Sequence, residues 1–324
     1  MLELRPQTRR ALVKTKDPIN ATQGPHEIIV VAGPTAIGKT KLAIDLANYL
    51  DCNIISADSR QFYKEMTIGT AVPSKEELSA APHYLIQHKS IHEAYSVGDF
   101  EREAMSLISR FSENKDKTVV VGGSGLYINA LLYGLDEFPE VPNAVRTQLN
   151  QEFKANGLIW LQEELKKVDP AYFNQVDIMN PQRIIRALEI YRSSGIAFST
   201  LRSDKVKKRP FKYTIIGLTA PRAEIYERIN QRVDQMITDG LVQEAQELYP
   251  FRELNALQTV GYREIFDHLD KKSSLESAIE LIKQNTRRFS KRQMTWFNKN
   301  EELHWFEREN ALSEILEFCF SLNH

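Results

Sequence analysis

The chain has 324 residues, 42% of them hydrophobic and 26% charged, enough to bury one large core or two modest ones. A formal net charge of -1 excludes a bulk pull on nucleic acid, so any RNA binding has to come from local clusters of Lys and Arg. Cys52 and Cys319 are far apart and lack CxxC spacing, which excludes a disulfide framework or zinc module and points to a reducing cytosol; no apolar run reaches the roughly twenty residues that span a bilayer.

Residues 1–26 mix basic residues with Glu3 and Asp17, then Pro and Gly, and read as a loosely held extension rather than a targeting peptide. The first strand is "EIIVVA", Glu27 to Ala32, followed by "GPTAIGKT" and the helical pattern "KTKLAIDLANYL". Gly33, Pro34, Thr35, Ala36, Ile37, Gly38, Lys39 and Thr40 match G-x-x-x-x-G-K-[ST], a loop whose amides and following helix dipole cradle phosphates. Lys39 adds a point charge, and the Thr40 hydroxyl is the expected ligand of Mg2+. The motif leaves three fates open for the phosphates: splitting by water, transfer to an acceptor, or departure as a leaving group.

A second buried strand, "CNIISADS", ends at Asp58, and a third, "KTVVV", runs into "GGSG" at Gly122. Strands alternating with helices predict an α/β fold with a parallel sheet covered on both faces. Hydrolytic P-loop enzymes place an Asp at the end of a later strand to organise metal and water. The glycines after "TVVV" supply none, which weakens hydrolysis and suits close backbone approach. Asp58 is the strand-end acid near the loop and is expected to face the ligand crevice; a turn or helix-cap role is the alternative.

After "GLDEFPEVP" the pattern is helical only, which predicts an insertion over residues 139–210 between a first core segment, 27–138, and a return to the core, 211–324. In "NPQRIIRALEIY", Arg183 and Arg186 stand at i,i+3 while Ile184, Ile185 and Leu188 form the buried face; a salt-bridged surface helix explains this as well as RNA contact does. The strand "FKYTIIGLTAPR" returns to the sheet, and the helix after it sets Arg228 and Arg232 at i,i+4, where both can reach phosphate. From Gly240 onward the sequence is mostly helical and polar. "KQNTRRFSKRQMTWFNK" interleaves Lys and Arg with Phe289, Trp296 and Phe297, whose rings are expected to pack inward.

Taken in order, "GPTAIGKT", "ADSRQFYKEMTIGTA", "VGGSGLYINALLYGL", "DIMNPQRIIRALEIY", "ERINQRVDQMITDGL", "TVGYREI" and "TRRFSKRQMTWF" resemble the bacterial tRNA dimethylallyltransferase family from Ile28 to about Phe297. The resemblance implies a P-loop, nucleotide-kinase-like sheet with a helical insertion that grips tRNA, and a monomeric cytoplasmic enzyme. Its substrates would be dimethylallyl diphosphate and the anticodon stem-loop of tRNA, with Mg2+ as cofactor. The phosphates then become the leaving group. Asp58 matches the family's acid that takes the proton of the adenosine amino group. Ser59, Arg60 and Gln61, Ser124, Arg146, and the segment Gln182, Arg183, Ile184, Ile185, Arg186 match positions that contact tRNA. Ser124 stands where the family usually has Thr, and Ile37 where Ser or Ala is usual; the Ile37 departure does not touch the implied chemistry, though its side chain could alter the donor pocket. Transfer to free AMP or ADP, a small-molecule kinase, and an RNA-binding nucleotide switch are the competing readings.

Overall fold

The computed structural model describes residues 25–203, 206–309 and 311–321. The extension expected over 1–26 lies almost wholly outside the described residues.

Six strands form one parallel sheet in the order β3-β2-β4-β1-β5-β6. They are β1 (Glu27–Ala32), β2 (Asn53–Ser56), β3 (His83–Tyr84), β4 (Lys117–Val121), β5 (Lys212–Thr219) and β6 (Leu303–Glu307). Strand periodicity sorts β1 into two faces. Ile29 and Val31 join Ile54, Val119, Ile216 and Leu218 beneath α1 (Lys39–Leu50), whereas Ile28 and Val30 join Ile55, Val120 and Ile215 on the opposite side. There α3 (Val97–Phe111) contributes Phe100, Ala104 and Ile108, and α4 (Gly125–Tyr133) contributes Ile128 and Leu131. Burial on both faces explains why the central strands read as continuous apolar runs. The helix α2 (Lys75–Ala80) precedes the short edge strand β3.

Between α4 and β5 lie α5 (Asn143–Val168), α6 (Pro170–Phe173), α7 (Pro181–Ser194) and α8 (Phe198–Leu201). Leu149, Leu161, Leu165, Tyr172, Ile184, Ile185 and Leu188 bury one another in a cluster of their own. α5 is interrupted at Gly157, whose φ of 79° breaks the helix. After β5 come α9 (Arg222–Thr238), α10 (Leu241–Leu248), α11 (Tyr262–Leu269) and α12 (Leu275–Phe297). These pack around Tyr262, Leu257 and Ile265 and enclose Tyr63 and Met66 from the segment after β2.

The polar C-terminal region hides β6, which adds to β5 before α13 (Ala311–Ser321). The β6 sequence, Leu303–Glu307, is broken by His304 and ends in Glu307, so it lacks the continuous apolar run of the central strands.

Candidate active site

The loop between β1 and α1 turns through Ala36, whose φ of 64° is uncommon for a residue with a side chain. Two prospective ligands hold it: Lys39 Nζ donates to the Pro34 carbonyl at 2.7 Å, and Arg228 Nε to the Ala36 carbonyl at 2.8 Å. Arg232 reaches the Thr35 hydroxyl at 3.1 Å. Both arginines project from α9, and their i,i+4 spacing places them together on the loop. Burial pushes the Lys39 ammonium down to about 8, against the opposing pull of Asp58.

Thr35, Ala36, Gly38, Lys39, Thr40, Asp58, Gln61, Arg228 and Arg232 line one cavity. Gly33, Pro34 and Ile37 do not. Ile37 is fully buried in the core under the sheet, which corrects the expectation that its side chain would reshape the donor pocket.

A second cavity is walled by Ser59, Arg60, Ser124, Arg263, Phe289 and Arg292. Thr35, Asp58, Thr70 and Arg232 line both. Asp58 therefore stands where two openings meet. Its Oδ1 accepts the Arg60 amide at 3.0 Å, so the turn role and the crevice role coexist.

The segment after β2 is braced from three sides. Ser124 Oγ accepts the Ser59 amide at 3.0 Å and donates to Ser59 Oγ at 3.1 Å. Arg60 is anchored by the Asn255 and Ala256 carbonyls, each at 2.9 Å. Gln61, expected at the RNA, lies among the walls of the first cavity instead, with its amide spent on Ser56 and on the Thr70 and Ala71 carbonyls.

Several supports went unnoticed in the sequence. Glu244 of α10 accepts the amides of Thr67, Ile68 and Gly69 at 2.8–3.0 Å and the Tyr262 hydroxyl at 2.6 Å, fixing the turn that presents Thr70. Buried Gln293 of α12 accepts the Thr35 amide at 2.9 Å and donates to the Gly123 carbonyl at 3.0 Å, tying the phosphate loop to the loop after β4. The glycines there serve this packing: a Cβ at Gly122 would come within 2.3 Å of the Ala57 carbonyl, and one at Gly123 within 2.2 Å of the Gln293 amide. Of the three aromatics of α12, only Phe297 packs inward. Phe289 and Trp296 are exposed, and Arg292 stacks over Phe289 at 5.7 Å, correcting the expectation for those two rings.

The remaining candidates lie among the helices of residues 143–201. Arg146 and Arg186 converge on buried Glu189, and Arg146 also bonds exposed Gln182. Arg183 is exposed. Ile184 and Ile185 are fully buried, so their side chains make the helix core rather than an RNA contact.

A metal ion finds two loop hydroxyls here, Thr40 and the Thr35 hydroxyl that already accepts from Arg232, and among the described residues no cluster of three His, Cys, Asp or Glu side chains. That donor set fits an ion that keeps water and phosphate as its main ligands, as Mg2+ does. Among the described residues no helix is long and apolar enough to cross a membrane.

The family model described as IPP transferase matches residues 61–300. The chain is 53% identical over 294 residues to the tRNA dimethylallyltransferase of Christiangramia forsetii, covering 91% of this chain and 97% of that one. It is 42% identical to tRNA dimethylallyltransferase 1 of Phocaeicola vulgatus, over 93% and 100% of the two chains. Among solved structures, the full-length tRNA isopentenylpyrophosphate transferase of Bacillus halodurans superposes with a TM-score of 0.69 at 36% identity, covering 91% of this chain and 96% of that one. A eukaryotic dimethylallyltransferase acting on tRNA shares the fold, with a TM-score of 0.77 at 24% identity over 92% and 80% of the chains.

Proposed function

The chain belongs to the IPP transferase family, and on that premise we propose that it transfers a dimethylallyl group from dimethylallyl diphosphate to N6 of the adenosine 3′ of the anticodon in tRNA, releasing diphosphate. One observation carries the mechanistic reading: Asp58, Thr35, Thr70 and Arg232 line both cavities, so a donor held on one side and a base entering from the other meet at Asp58.

The diphosphate lies on the loop amides, Lys39, Arg228 and Arg232. As the allylic C–O bond breaks, its electron pair leaves with diphosphate, and these fixed positive groups stabilise that charge more in the transition state than before it. Thr40 would hold Mg2+, which neutralises leaving-group charge when bound. The N6 lone pair is delocalised into the adenine ring and is a poor nucleophile. Asp58 takes the N6 proton as the N–C bond forms, which keeps charge from building on the base. The target nucleotide has to be swung out of its stack to reach this depth.

On the RNA side, Ser59, Arg60 and Ser124 shape the mouth of the second cavity, while Gln182, Arg183, Arg186 and Arg146 meet the anticodon stem-loop from the helical unit of residues 139–210. The enzyme works as a cytoplasmic monomer. Its fold is that of nucleotide kinases, with the phosphates kept as leaving group rather than passed on.

Incubation of the purified protein with radiolabelled dimethylallyl diphosphate, Mg2+ and either unmodified tRNA or AMP, followed by nucleoside analysis, tests the proposal. Label in N6-dimethylallyl adenosine from tRNA alone is the expected result. Label in AMP would transfer the chain to free-nucleotide chemistry, and ATP consumption without label would make it a kinase.

A further inference from the structure

We infer that Glu189 is a positioning residue for RNA recognition: it is the shared anchor that aims Arg146 and Arg186, an inference that rests on the reading that these arginines meet tRNA. The Glu189 side chain is 2% exposed, while the arginines are 45% and 43% exposed. Arg146 spans both carboxylate oxygens with one nitrogen, at 3.2 and 3.0 Å, and with its other terminal nitrogen bonds Gln182 Oε1 at 3.1 Å. Arg186 reaches Oε1 at 2.6 Å from the preceding turn of α7.

The geometry is that of a mount rather than a closed ion pair. Two cations share one anion, so the group keeps an outward charge of about +1. Among the described residues, no hydrogen bond occupies Nε or the second terminal nitrogen of Arg186. Its guanidinium also lies 5.4 Å from the ring of Phe138, which stacks on Phe198 with centroids 4.9 Å apart and planes 5° apart. Carboxylate on one side and ring on the other fix the guanidinium plane. A long, flexible side chain is thereby ordered before RNA arrives, and ordering cost is subtracted from the binding step. The carboxylate, in turn, is buried only because it is paired.

The sign of one substitution separates positioning from neutralisation. Glu189→Gln keeps the shape and removes one negative charge from a surface that binds a polyanion. If Glu189 merely dampens the arginines, tRNA binds more tightly and the salt slope steepens by about one unit. If it aims them, KM for tRNA rises by about tenfold, as two charge-assisted bonds weaken, while KM for the donor and kcat at saturating tRNA hold.

The assay is steady-state prenyl transfer with tRNA and donor varied separately, run beside Arg186→Ala and the Arg186→Ala/Glu189→Gln double variant. Expected are a raised KM for tRNA in both single variants and less than additive loss in the double, because Glu189 acts through Arg186. A raised KM in Arg186→Ala with an unchanged or lowered KM in Glu189→Gln overturns the positioning role alone. An unchanged KM in all three overturns the RNA reading of the arginines as well. Should Glu189→Gln melt early, Glu189→Asp keeps the charge and withdraws the carboxylate by one methylene: a raised KM for tRNA with an unchanged KM for the donor is expected, and an unchanged KM for tRNA overturns the positioning role.

Discussion

Two regions of this molecule hold clustered cations in opposite ways. Around the phosphate loop, Lys39 and Arg232 are drawn out of water, and their partners are a loop carbonyl and a threonine hydroxyl, with Asp58 acting only at a distance. Among the helices of residues 143–201, Arg146 and Arg186 stay half in solvent and sit directly on a carboxylate. The first arrangement keeps charge strong by desolvation, suited to a small, multiply charged anion that enters whole. The second keeps charge solvated but fixed in direction, suited to a large polyanion that makes many shallow contacts. Desolvation and aiming are alternative means to a similar end, and the size of the ligand decides between them.

The strongest way to break this picture is Asp58→Ala. Loss of a general base predicts a fall in kcat of about 10²–10⁴ with tRNA affinity retained; undiminished turnover would remove Asp58 from the chemistry and leave it a turn residue. Next in size is Ile185→Ala. Its side chain is fully buried in the separate helical cluster, so the expected cost is about 2–5 kcal/mol in chemical denaturation. Donor affinity should be unchanged, since the phosphate loop draws nothing from that cluster. A variant with wild-type stability but weakened tRNA binding would restore Ile185 as an RNA contact.

The mildest test sharpens the contrast through pH. Free Lys39 loses its proton near pH 8, whereas diphosphate favours the ammonium form. Below that pH the lysine imposes no pH dependence on donor binding. Above it, Kd for dimethylallyl diphosphate should rise by about tenfold per pH unit, because binding has to restore the proton. Binding of tRNA does not draw on Lys39, so its curve over the same range is the reference against which the donor curve is read. Calorimetric titrations of each substrate from pH 7 to pH 9.5 would show whether the two curves separate.

Much of the donor side is legible in the sequence because its grammar is local. Strand, loop, Lys39 and helix are contiguous, and Asp58 follows the next strand by two residues. The supports are not legible for the converse reason. Glu244, Glu189 and Gln293 are polar residues on helices, a pattern shared by any solvated face, and their most distant partners lie 177, 43 and 258 residues away. Arg183 and Arg186 illustrate the same limit: i,i+3 spacing predicts that they are neighbours, yet only Arg186 has a carboxylate one turn on that the fold buries. Ile184 and Ile185 lay inside a matched segment, and the helical period that marked them as buried was the better guide. Strand β3 is too short, at two residues, to separate from loop, and β6, Leu303–Glu307, lacks the unbroken apolar run that marks β2 and β4, because His304 interrupts it.

The phosphate loop closes on its own future ligands: Lys39 on the Pro34 carbonyl and Arg228 on the Ala36 carbonyl. A diphosphate arriving there exchanges one set of acceptors for another instead of meeting vacant charge. Its binding enthalpy is then a difference between two well-made sets of hydrogen bonds, which keeps donor affinity moderate whatever the number of cations present. The same exchange runs in reverse when diphosphate departs, because the loop carbonyls take the cations back and ease the release of a highly charged product.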